Sequence, residues 1–111
     1  MRAEQILATL DAHLPAPGST PNGEELFRCG LRHATGLGAP VDLISAHALF
    51  DIAARWGSLE AKVYRKELGD EMDLADIGEA QSVVRDWMKA FSLSKAAALG
   101  SSSAKPSLVT V

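Results

Sequence analysis

The chain holds one cysteine, three histidines and fourteen carboxylates, and these are the groups that could do chemistry. Cys29 and His33 stand four residues apart. On a helix that is one turn, so a thiol and an imidazole can touch. A catalytic thiol needs such a base, itself oriented by a third group. No orienting residue and no oxyanion element accompanies this pair, so the expected role of Cys29 is that of a small buried apolar residue. His13, His33 and His47 fall on three different segments, without the close spacing of a zinc site. Asp70, Glu71, Asp73 and Asp76 crowd one short stretch. No central glycine and no closing glutamate make them a calcium loop, so solvated cap residues are the better account. Gly36-Leu37-Gly38 is only a two-glycine fragment, and no strand precedes it as a phosphate loop requires. The expectation is therefore no catalytic residue, no metal and no cofactor. The competing reading is a small enzyme or metal-dependent regulator built on Cys29, His33 and His47.

Elements that would position these groups follow from composition and period. A chain of 111 residues suits one domain. Ala and Leu together fill 32 positions, and both are strong helix formers. The β-branched and aromatic residues that sheets favour are sparse. These numbers point to an all-α fold. Net charge is −3, and residues 1–91 alone carry −5. Neither a basic stripe nor aromatics interleaved with basic residues is present, which argues against nucleic acid as the partner. The N-terminus does not read as a signal peptide, because Glu4 follows Arg2 and Thr9 and Asp11 interrupt the apolar stretch. No run approaches the roughly 20 apolar residues of a membrane span. A lone cysteine suits a reducing compartment, so the cytoplasm is the expected location and no membrane is expected as a partner.

Along the chain, residues 2–14 have helical period, with Ile6, Leu7, Leu10 and Leu14 on one stripe. The Pro- and Gly-rich segment 15–23 breaks that helix and completes an N-terminal unit, 1–23. A helix over 24–34 follows, capped by Asn22 or Thr20, with Glu24 and Glu25 in its first turn. Asp42 caps a helix over 43–56, which Gly57 ends. Ser58 caps a helix over 59–72, and Asp73 opens one over 74–91. That makes about five helices, with the domain proper at 24–91. Residues 92–111 read as a low-complexity, disordered tail.

The four domain helices fall into two pairs. A shift of 34 residues lays Asp42 on Asp76, Ala46 on Ala80, Leu49 on Val83 and Phe50 on Val84. Such a period is the mark of a helical solenoid. In the first unit, 26–61, Gly30, Gly36, Gly38, Asp42, Ala46, Phe50, Ala53, Ala54, Gly57 and Ala61 stand at fixed spacings. This register resembles the Sel-one-like repeat, a bacterial and eukaryotic relative of the tetratricopeptide repeat. Leu26, Cys29, His33, Ala39 and Leu49 depart from the family pattern. The segment 71–88 resembles the closing stretch that often follows such repeats.

The resemblance implies a short alpha-alpha solenoid whose first helix in each pair lines a concave surface. Carried across by register, the groove residues are Glu24, Phe27 and Leu31, with Lys62 and Lys66 as a basic spot beside them. Phe27 and Leu31 share a face at i, i+4 and would bind a partner helix or peptide, unless helix 2–14 covers them. Trp87 and Phe91 are candidates for a homodimer seam or for packing on the last pair. The implied function is a protein–protein interaction module, an adaptor or regulatory scaffold. A purely structural homo-oligomer is the other alternative.

Overall fold

The computed structural model describes residues 20–103, and side chains as far as Leu93. The expected helix over 2–14, residues 15–19 of its linker and residues 104–111 lie outside the described residues. Within them the fold is all helical: α1 (Gly23–Thr35), α2 (Leu43–Arg55), α3 (Leu59–Glu71) and α4 (Leu74–Ser103). No described helix is long and apolar enough to cross a membrane.

Local capping chemistry sets the boundaries. The Asn22 side chain accepts from the backbone N–H groups of Glu24 and Glu25 at 2.9 and 3.1 Å. Of the two expected caps for this helix, Asn22 makes the bonds. Asp42 accepts from the Ser45 N–H at 3.1 Å, and the Ser45 hydroxyl donates back to it at 2.8 Å. Ser58 caps α3 through the Ala61 N–H at 3.1 Å. These side chains satisfy donors that a helix start leaves open. Gly36, Gly38 and Gly57 have φ of 82°, 92° and 100°, a region costly for any side chain. At Gly57 the chain closes a paired C-terminal motif, in which the Ser58 N–H reaches Ala53 O and the Gly57 N–H reaches Ala54 O.

α4 continues to Ser103, twelve residues past the boundary expected at Phe91. The extension holds Leu93, Lys95, three consecutive alanines and Leu99, all strong helix formers, and no proline interrupts before Pro106. Low complexity masked high helix propensity.

α2 is the hub. All ten residues from Ile44 to Ala53 are buried. α1, α3 and α4 each pack on it. α1 can approach closely because Gly30 faces the Phe50 ring, where an added Cβ would lie 2.6 Å from a ring carbon. Phe27, Phe50 and Tyr64 then join α1, α2 and α3 in one ring cluster, with centroids 5.2–5.8 Å apart. A second cluster closes the other end. Trp87 stacks on Phe91 at 5.2 Å, and Trp56 meets both edge-on.

Gly30→Ala is expected to destabilise the fold by about 2 kcal/mol. Overpacking against a buried ring costs up to about 3 kcal/mol, and alanine in a helix returns about 1 kcal/mol. A urea melt of the variant checks this.

The second helix pair differs from the expected one. α3 and α4 diverge from their two-residue connection and barely meet. Each is anchored to α2 instead, α3 through Ala61 and Tyr64 and α4 through Ala80, Val83, Val84 and Trp87. The 34-residue shift does align buried positions, since Ala80, Val83 and Val84 are as buried as Ala46, Leu49 and Phe50. It misplaces the cap, because Asp76 sits inside the first turn of α4 while Asp42 precedes α2.

Candidate functional site

The divergence of α3 and α4 opens a cleft of about 810 Å³ over α2. His47, Asp51 and Arg55 of α2 form its floor. Lys62, Arg65, Lys66, Gly69 and Asp70 of α3 form one wall, and Leu74, Ile77, Gln81 and Arg85 of α4 the other. Five lining residues are cationic and two are carboxylates, so the cleft carries +3 on a chain whose total is −3. Nearly half of the eleven basic residues converge here, and low-dielectric walls concentrate the field of such a group.

Asp51 organises the floor. Its carboxylate is buried and accepts from Arg55 Nε at 3.1 Å and from Arg65 Nη1 at 2.9 Å, on the same oxygen. One carboxylate thus fixes two guanidinium groups and neutralises only one of them. Lys66 pairs with Asp70 at 3.6 Å on the exposed rim, a contact worth little in water.

His47 lies 5% exposed beside this pair. Burial pushes its pKa below the usual 6.5; the Asp51 carboxylate opposes the shift and the Arg65 guanidinium adds to it. Below pH 6.5 the unfolded chain therefore takes up a proton that the folded chain refuses. Stability falls as pH drops through that value, until the folded imidazole is itself protonated. His47→Gln is expected to flatten this loss between pH 7 and pH 5.5, read by thermal denaturation.

The residues singled out by sequence divide between two faces. Phe27 is 8% exposed and lies under Tyr64 and Phe50, so it is core and offers no open apolar patch. Leu31 is half-buried against the same core. Glu24 is exposed and pairs with Arg28 at 3.5 Å. Lys62 and Lys66 are exposed but belong to the cleft wall, on the face of α3 turned away from Tyr64. The groove expected from register is therefore not one surface. The half of it that lines an open cleft is the basic half. Trp87 is buried against Trp56 of its own chain, and Phe91 is half-buried in the same cluster.

The three residues of the chemical alternative do not converge. Cys29 is buried, and burial raises its thiol pKa above the usual 9.0 despite the Arg32 guanidinium, which donates to Sγ at 3.4 Å. His33 Nδ1 is buried without a hydrogen-bond partner. His47 lines the cleft, whereas Cys29 and His33 do not. Among the described residues no group of three His, Cys, Asp or Glu side chains is placed to hold a metal ion.

Sequence reasoning missed Asp51, Arg55, Arg65 and Arg85. The available signal was the i, i+4 spacing of His47, Asp51 and Arg55, which puts three polar groups along one stripe of an otherwise apolar helix. Comparisons with protein-family models, with curated proteins and with solved structures return no match to this chain.

Proposed function

We propose that the protein is a non-catalytic binding module that docks an acidic, Asp- or Glu-rich segment of another protein in the cleft between α3 and α4. The carrying observation is the +3 lining of an open cleft on an acidic chain. Like charge elsewhere on the surface disfavours general anion binding, so attraction is confined to one place. Leu74 is 86% exposed on the rim and Ile77 lines the wall, which gives aliphatic contact suited to a polypeptide. No aromatic side chain lines the cleft for base stacking, which argues against a nucleic acid strand.

The helical-repeat reading supports the same role. Its support is local: glycines at positive φ, the Asp42 cap and the close approach of Gly30 to Phe50. Modules of this kind act by presenting a shaped helical surface. In this chain the surface used is the basic cleft, and the apolar groove around Phe27 is not part of it.

The test is fluorescence anisotropy with a fluorescein-labelled hexaglutamate peptide. Lys62 and Lys66 are exposed, so Lys62→Glu with Lys66→Glu should fold normally and bind at least about tenfold more weakly, as each reversal costs about 1 kcal/mol or more at a charged rim. Binding should also weaken steeply with salt. Unchanged affinity in the double variant, equal binding of a hexalysine peptide, or tighter binding of a short oligonucleotide would overturn the proposal.

A further inference from the structure

We infer that the cleft floor contains a dedicated subsite in which His47 Nε2, reached through the gap left by Gly69, hydrogen-bonds one carboxylate of the docked segment. This rests on the reading of the cleft as a site for acidic segments. The imidazole is more than nine-tenths buried yet lines the cleft, and its Nδ1 is sealed from solvent without a partner. An orphaned buried N–H is rarer than an orphaned buried acceptor. The neutral ring therefore keeps Nδ1 bare and carries its proton on Nε2. That nitrogen faces Gly69, where an added Cβ would lie 3.5 Å from it and 3.8 Å from Ile77 Cδ1.

Gly69 itself has no packing reason to be glycine. Its φ is not positive, and a methyl group there would make only ordinary van der Waals contact. Glycine weakens a helix relative to alanine. What the missing methyl leaves is an approach to the imidazole edge. An incoming carboxylate finds a neutral N–H donor there, while Nδ1 stays bare because a proton placed on it would have no acceptor. The charged groups that line the cleft with the ring are Asp51 and Arg55 from α2, Lys62, Arg65, Lys66 and Asp70 from α3, and Arg85 from α4. Asp51 already serves two arginines, which leaves the Nε2 donor to the docked carboxylate.

The experiment is titration of the full chain with the hexaglutamate probe at pH 7.5, where glutamate is ionised. Gly69→Ala should melt at an equal or higher temperature and bind about fivefold more weakly, the loss of one charge-assisted hydrogen bond. His47→Leu deletes the donor and should weaken binding by about the same factor, and adding Gly69→Ala to it should cost less than about twofold more. Gly69→Ala that binds as the wild type does, or that weakens binding as much in the His47→Leu background as in the wild type, would overturn the subsite while leaving the cleft reading intact. No binding of the probe by the wild type would instead overturn the cleft reading, and the subsite with it.

Discussion

Phe50→Ala should lower the free energy of unfolding by about 4 kcal/mol, the largest single effect expected in this molecule. Truncating a fully buried phenylalanine costs about 3–5 kcal/mol, from lost transfer energy and the cavity left behind. Phe50 is 1% exposed and touches both other rings of its cluster. It also fills the space that Gly30 leaves open, so its removal loosens α1 and α3 at once. A domain of this size has about 5–15 kcal/mol of total stability, so the variant should be near its unfolding midpoint in mild urea. Equilibrium urea denaturation followed by circular dichroism gives the number. A loss under about 1.5 kcal/mol would mean that the ring cluster is not the joint between these helices.

The second large effect is expected at Asp51, with stability and binding moving in opposite directions. Asp51→Ala removes the acceptor shared by Arg55 and Arg65. Breaking a fully buried pair costs about 3–5 kcal/mol. Here the arginine side chains are 48% and 34% exposed and keep part of their hydration, which brings the expected loss to about 2–3 kcal/mol. The same substitution raises the lining charge of the cleft from +3 to +4. The acidic probe should therefore bind more tightly, by about threefold to tenfold, at a temperature where the variant remains folded. A merely structural role for Asp51 would lower stability and leave binding unchanged or weaker. Urea melts and anisotropy titrations on one preparation measure both.

Helix boundaries were largely legible in the sequence because they rest on neighbours. Asn22, Asp42 and Ser58 cap through bonds to residues two or three positions on, and Gly36 and Gly57 end helices by their own φ. Such signals need no tertiary context. The end of α4 was less legible, because a Ser- and Ala-rich stretch can be read by complexity or by propensity, and the two disagree.

The site was hidden for a different reason. Apolar period marked one stripe on α2, but that helix is buried over ten consecutive residues by three neighbours. Helical period alone does not tell that the polar residues His47 and Asp51 are buried under the cleft. The link between Asp51 and Arg65 spans fourteen positions and depends on where α3 lands. The divergence of α3 from α4 has no local sequence mark either. It follows from α3 having only Ala61 fully buried, so α3 follows α2 and leaves α4 free to part from it. Lys62 and Lys66 were picked out by register for a groove beside Phe27, and they line an open surface on the opposite side of α3.

The most direct test of the account is an amide chemical-shift titration of the labelled full chain with the hexaglutamate peptide. Shifts should concentrate at His47, Asp51, Lys62, Arg65, Lys66, Gly69 and Arg85, with Leu37 and Val41 of the α1–α2 loop, which do not line the cleft, unmoved. Shifts centred on Glu24, Phe27 and Leu31, or spread evenly over the surface, would contradict it.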